Sequence, residues 1–194
     1  LMQGATTIIP TSLAGSHEAT LKFLQVYSET EKCQEGRADM PCVHLEGPYF
    51  AASQKGAQPE KYLRTPDPEE YGEILKKYGS LIGRWSAASE LEGMEAFARE
   101  CRRYQIVVAY AHSDADAQQA MEANRWGFSH YTHLYSCMSS VHRRQGRRYG
   151  GLVESAYLME DTTAELITDG MHLPPELAEL GVILLMFGVG LHFS

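Results

Sequence analysis

The chain has 194 residues, 44% of them hydrophobic, and a formal net charge of −8. That is enough apolar material for one folded domain, while the acidic balance excludes a nucleic-acid surface, which concentrates Lys and Arg. No window reaches the roughly eighteen apolar residues of a membrane span, and Leu1-Met2-Gln3-Gly4 does not begin a basic n-region followed by an apolar h-region, so no signal peptide is expected.

Short apolar runs then alternate with helical patterns. Thr6 to Ile9 reads as a strand. Ser16 caps a helix carrying Leu21, Leu24 and Tyr27 at helical spacing. Cys42 to Leu45 is a second strand, followed by a polar loop from Gly47 to about Pro66. Pro68 suits the first turn of a helix running to about Tyr78. Leu81 to Ala87 is a third strand. Met94, Phe97, Ala98 and Cys101 fall at i, i+3, i+4 and i+7, the pattern of an amphipathic helix. Ile106 to Ala111 is a fourth strand. Asp114 is the expected cap of the next helix, with Ala117, Ala120 and Met121 as its buried face and Gly127 at its end. Phe128 to Thr132 and Glu165 to Thr168 are the fifth and sixth strands, and Leu173-Pro174-Pro175 opens a last short helix.

Repeated strand-then-helix units imply a parallel sheet. Near-continuous apolar strands imply burial on both faces. An open doubly wound sheet and a (β/α)₈ barrel both satisfy this. No G-x-G-x-x-G follows a strand, which removes the main support for a dinucleotide fold. From Gly181 to Leu191 the tail carries no polar residue and fits a seventh strand. A full barrel needs roughly 250 residues, so a single partial domain, truncated at one or both ends, is expected over 1–194. The four cysteines are irregularly spaced, and no C-x-x-C occurs. A disulfide framework is therefore not expected, and the compartment reads as a reducing cytoplasm.

The chemistry sits at strand ends. Glu46, His112 and His133 each stand where a strand meets its following loop, the edge at which parallel α/β folds bind ligands. One carboxylate and two imidazoles suit a divalent first-row ion with open positions. His44, two residues before Glu46, points to the same side and is also a candidate. His130, three before His133, is expected to face a helix. His142-Arg143-Arg144 with Arg147-Arg148 forms a local basic cluster suited to an anionic group on a small molecule.

Four segments occur in order: His44-Leu45-Glu46-Gly47-Pro48-Tyr49-Phe50, Ala111-His112-Ser113-Asp114-Ala115, Thr132-His133-Leu134-Tyr135 and Asp169-Gly170-Met171-His172. Over roughly residues 1–180 the chain resembles the N-acetylglucosamine-6-phosphate deacetylase family of the amidohydrolase superfamily. The resemblance implies an incomplete (β/α)₈ TIM-type barrel of the metal-dependent amidohydrolase kind, with 181–194 an atypical tail. The family's small β-domain is not recognisable. It implies one divalent metal ion, zinc first and iron, manganese or cobalt as alternatives, on Glu46, His112 and His133, with His44 not a ligand.

By the same resemblance Ala57 and Gln58 match sugar contacts, although Gln58 stands where the family commonly has His. Ser136 and Cys137 match a substrate-contacting pair that is usually Asn-Ala. Arg148, with Arg147 as the alternative, matches an arginine reaching the phosphate of a neighbouring subunit, which implies a homodimer. An Arg fork suits that role. Asp169, Gly170, Met171 and His172 match a further sugar-phosphate contact.

The implied reaction is hydrolysis of the acetamide of an amino-sugar phosphate. The family's general acid–base Asp, in a T-D-A motif, has no counterpart after His172. No catalytic residue is therefore assigned, and impaired catalysis is expected. The alternatives are a non-catalytic protein binding a metal or sugar phosphate, or an amidohydrolase for another amide.

Overall fold

The computed structural model describes residues 4–33 and 35–180. The tail from Gly181, and with it the expected seventh strand, lies outside the described residues.

Helix starts follow the side chains that satisfy the first free N–H groups. Ser16 Oγ accepts from Ala19 N–H and opens α1 (His17–Glu29). Asp67 accepts from Glu69 N–H and opens α2 (Pro68–Tyr78), with Pro68 in its first turn. Gly93 precedes α3 (Met94–Arg103). Asp116, not Asp114, opens α4 (Ala117–Trp126). Its carboxylate accepts from Gln119 N–H while Gln119 Oε1 accepts from Asp116 N–H, a reciprocal pair that outcompetes any cap two residues earlier. Asp114 instead accepts from Gln54 Nε2. Gly127, at φ 126°, ends α4 as expected. A short α5 (Leu152–Ala156) was not legible as a helix, and residues 175–180 form the final helical stretch.

The strands are β1 (Val43–Glu46), β2 (Ile82–Ala87), β3 (Val107–Tyr110), β4 (Phe128–Tyr131), β5 (His142–Arg144), β6 (Arg147–Tyr149) and β7 (Thr163–Ala164). Five of them form one parallel sheet in the order β1-β2-β3-β4-β7. Between β4 and β7 the chain makes an antiparallel hairpin, β5-β6, where the sequence showed only a basic cluster.

Two strand expectations are corrected. Thr6 to Ile9 is not a strand but an extended segment joined by isolated parallel bridges, Thr7 to Asp39 and Thr11 to His44. Pro10 has no N–H to extend a ladder, though its carbonyl accepts from His44 N–H at 3.0 Å. The sixth strand lies at Thr163–Ala164 rather than Glu165–Thr168. Glu165 still donates its N–H to Tyr131 O, so pairing fades over the predicted start.

One sheet face packs under the helices. Leu45, Trp85, Val108, Tyr110 and Tyr131 are fully buried there with Phe97 and Leu24. Trp85 stacks on Tyr49 with ring centres 5.8 Å apart, and Phe97 meets both edge-on at 5.0 and 5.2 Å. Ala120 and Ala123 carry the contact of α4, whereas Met121 is 45% exposed, against expectation. Ala120 and Ala123 recur at i and i+3, which turns Met121 off that stripe.

The other face is polar: His44, Arg84, Ser86, His130 and Thr132 hydrogen-bond to one another across it. His130 therefore does not face a helix. A register shift sets Val108 against Phe128 but Ala109 against His130, so β4 carries one extra residue there and His130 is re-aimed. Among the described residues no helix is long and apolar enough to cross a membrane.

Candidate metal centre

Three strand ends deliver the site. Glu46 is the last residue of β1. His112 follows β3 and His133 follows β4, each after one further backbone bond: Ala111 N–H to Ala87 O, and Thr132 N–H to Tyr110 O. Both histidines then leave the ladder with positive φ, 48° at His112 and 42° at His133. That conformation is uncommon for non-glycine residues and concentrates at functional sites. It swings both imidazoles toward Glu46.

Glu46 Oε1 lies 3.1 Å from His112 Nε2 and 3.5 Å from His133 Nε2, and the two Nε2 atoms are 3.2 Å apart. All three donor atoms fall within 4.8 Å of one another. The rings meet edge-on, with centres 4.9 Å apart. The side chains are 16%, 5% and 12% exposed for Glu46, His112 and His133, so the cluster is largely out of water yet reachable.

Each member is held from behind. His112 Nδ1–H donates to Gln54 O at 2.8 Å, which leaves Nε2 of the neutral ring as a lone pair. Phe50 packs on the same ring, with centres 4.4 Å apart. Glu46 Oε1 also accepts from Gln58 Nε2 at 3.1 Å, and Ser12 Oγ lies 3.2 Å from Glu46 N. His133 Nδ1 is buried with no hydrogen-bond partner among the described residues. Beyond His112, the Glu90 carboxylate accepts from Ser113 Oγ at 2.6 Å and Asp114 N–H at 2.5 Å. Burial nevertheless pushes Glu90 above the usual carboxylate range.

Burial opposes the charge of Glu46, but positive charge on the His112 and His133 side outweighs it and holds the carboxyl well below its ordinary range, a place that a cation takes when the rings are neutral. With His112 Nδ1 donating to a carbonyl, electron pairs of nitrogen and carboxylate converge on one point. Such a set is satisfied by a cation. The donors, one carboxylate and two imidazoles, therefore fit a divalent metal ion.

His44 shares the face of Glu46 but not its site. Its Nε2 is 2.7 Å from Ser86 Oγ and its Nδ1 3.0 Å from an Arg84 nitrogen. Burial, then the Arg84 charge, lowers its pKa to about 3. Strand alternation placed His44 correctly by side and could not reveal that Arg84 claims it.

The residues matched to substrate contacts are spread more widely. Gln58 is buried and committed to Glu46 and to Ala14 N–H, while Ala57 is exposed beside it. Cys137 and His112 flank the same space, because a methyl group on Gly56 would stand 2.4 Å from Cys137 Sγ and 3.6 Å from His112 Cε1. Ser136 N–H donates to His133 O. Arg148 is exposed on β6, paired across the hairpin with Arg143, and Arg147 likewise with Arg144. Asp169 accepts from the N–H groups of Met171 and His172, each at 2.9 Å, and meets His172 Nδ1 at 2.7 Å, in an exposed turn around Gly170. Gln54, which acts through its backbone carbonyl, left no trace in residue type.

The parallel sheet and its strand-end Glu–His–His set define part of a (β/α)₈ barrel of the metal-dependent amidohydrolase kind. Within that class, the similarity is to N-acetylglucosamine-6-phosphate deacetylases. The enzyme of that name from Bacillus subtilis (strain 168) is 29% identical over 184 residues, 93% of this chain and 46% of its own length. That from Danio rerio is 31% identical over 179 residues, 90% of this chain and 44% of the relative. The crystal structure of the Thermotoga maritima enzyme superposes with a TM-score of 0.82 at 30% identity, covering 94% of this chain and 47% of that one. No family model matches the chain. The chain thus spans less than half the length of the curated relatives it matches.

Proposed function

We propose that the chain carries the metal-holding and part of the sugar-holding surface of an N-acetylglucosamine-6-phosphate deacetylase. The observation behind this reading is the convergence of Glu46 Oε1, His112 Nε2 and His133 Nε2 within 4.8 Å. A divalent ion there would supply Lewis-acid polarisation of an amide carbonyl and make water more acidic. Zinc suits the nitrogen-rich set, with iron, manganese or cobalt as alternatives.

The chain's own residues do the rest. Gln54 O keeps the His112 proton on Nδ1, Gln58 keeps Glu46 Oε1 turned inward, and Phe50 shields the His112 ring. Ala57, Gln58, Ser136 and Cys137 line the sugar side. Arg148, or Arg147, with His172 in the Asp169–His172 turn binds the phosphate, across the interface of a homodimer. The overall change replaces the acetamide C–N bond with a C–O bond from water, giving acetate and the amine of glucosamine 6-phosphate. The Asp implied as general acid and base has no counterpart in these 194 residues, so turnover by this stretch alone is expected to be very slow. The described cysteines Cys42, Cys101 and Cys137, with Cys33, are free thiols, which suits a reducing cytoplasm.

Metal content after exhaustive dialysis tests the reading. One equivalent of zinc or another first-row ion is expected for the wild-type chain, and none for Glu46→Ala or His133→Ala. Unchanged stoichiometry in both variants would refute the site. Weaker binding of phosphorylated sugar, with unphosphorylated sugar unaffected, is expected for Arg148→Ala.

A further inference from the structure

We infer that Arg84 is a positioning residue for the strand-end triad, acting through the tautomer of His44. The inference rests on the metal-centre reading above, but its argument is one of hydrogen-bond direction.

A guanidinium has donors only. His44 Nδ1, 3.0 Å from an Arg84 nitrogen, must therefore accept, and the ring proton sits on Nε2. Nε2–H then donates to Ser86 Oγ at 2.7 Å. Ser86 Oγ, which can both accept and donate, bonds in turn with Thr132 Oγ1, 2.8 Å away. The chain of hydrogen bonds begins at Arg84, passes two residues before Glu46 and ends on the residue next to His133.

The second arm of the fork works the same way. His130 Nε2, 2.8 Å from Arg84, must accept, so His130 Nδ1–H donates to Thr163 Oγ1 at 2.7 Å. Glu165 Oε1, at 2.5 Å, balances the charge. One side chain thereby fixes two imidazoles on two strands and ties β2 to β1, β4 and β7. The bonds from β2 to β4 pass over β3, and Ala109, in register with both Ser86 and His130, is small enough to let them pass. A flipped His44 ring would break its bonds to Arg84 and Ser86, and with them the network that joins the strands presenting Glu46 and His133.

The test compares wild type, Arg84→Met, Arg84→Lys and Glu165→Gln. Three quantities are read: ¹⁵N shifts of the His44 ring, the zinc dissociation constant from chelator competition, and the unfolding midpoint of the metal-free protein. Wild-type His44 should report a single Nε2–H tautomer. Arg84→Met should give mixed tautomers and zinc binding weaker by about tenfold, the scale on which outer-shell partners act. Arg84→Lys, with the charge but no fork, should restore the midpoint more than the zinc affinity. Glu165→Gln should lower the midpoint and leave zinc affinity within about twofold of wild type. An unchanged His44 tautomer in Arg84→Met, or equal zinc losses in Arg84→Met and Glu165→Gln, would overturn the inference. Should wild type hold no zinc, the metal-centre reading fails, while the His44 ring shifts still decide what Arg84 does.

Discussion

Gln58 holds Glu46 and Ala14 at once. Its Nε2 donates to Glu46 Oε1 at 3.1 Å, and its Oε1 accepts from Ala14 N–H at 2.8 Å. The side-chain amide is thus a strut between the N-terminal segment and the carboxylate of the proposed metal site. Gln58→Leu keeps much of the volume but loses both bonds, leaving a buried N–H unsatisfied at a cost of about 1–3 kcal/mol. Zinc affinity should fall by about tenfold. Calorimetric titration beside thermal unfolding checks both, and zinc affinity equal to wild type would show that Glu46 needs no strut.

Gly56 is constrained twice. Its φ is +54°, and an added Cβ would lie 2.4 Å from Cys137 Sγ. Gly56→Ala should cost about 1–2 kcal/mol for the left-handed backbone and a further 1–3 kcal/mol for overpacking. Adding Cys137→Ala removes the sulfur and should recover the second cost but not the first. Additive destabilisation in the double variant would locate the crowding elsewhere.

Acid should destabilise the protein in two windows. His44 titrates near 6.5 when unfolded and about 3 when folded, because burial and then Arg84 disfavour its charge. The unfolded chain therefore binds the proton first, and stability declines as pH falls from 6.5 toward 3. Glu165 is depressed from 4.5 to about 2. Burial opposes its charge, but the neighbouring His130 and the Arg84 guanidinium prevail. Its contribution is complete above about pH 4.5 and is lost as pH falls toward 2. Glu165→Gln should flatten only the lower window in denaturant titrations, and flattening between 6.5 and 4.5 would contradict the assignment. Because Glu165 is partly exposed, added salt should also reduce its share.

The helix-side core and the surface of α4 should respond very differently to truncation. Phe97 is fully buried against Tyr49, Tyr71 and Trp85, so Phe97→Ala should cost about 3–5 kcal/mol. Met121 is 45% exposed, and Met121→Ala should stay within about 0.5 kcal/mol. Chemical denaturation distinguishes them directly, and comparable losses would return Met121 to the core.

Much of this was legible in residue order. Strand ends were readable because apolar runs stop where Glu46, His112 and His133 begin, and α3 because Met94, Phe97, Ala98 and Cys101 repeat at the helical period. What escaped depends on contacts distant in sequence. Asp114 and Asp116 are equally good caps by residue type, and only Gln119, reaching back, chooses between them. His130 was misplaced because its face was read from His133, which leaves the ladder with positive φ and so falls outside the alternation. The hairpin was hidden because its strands are three residues each and carry arginines rather than β-branched residues. The positions of Gln58 and Gln54 behind the triad follow from loop closure, which no local period encodes.

The left-handed backbone of His112 and His133 also limits how the site could drift under mutation. Asn and Asp tolerate that conformation best after glycine, whereas β-branched residues do not. Neutral change at these positions is therefore channelled. Asp would supply an anionic oxygen ligand in place of a neutral nitrogen one and harden the site toward oxygen-loving ions, and Asn or Gly would silence it with the loop shape intact. A lineage abandoning the metal should carry Asn or Gly here long before Val or Ile, so the genetic trace of lost chemistry would be written by the backbone rather than by the ion.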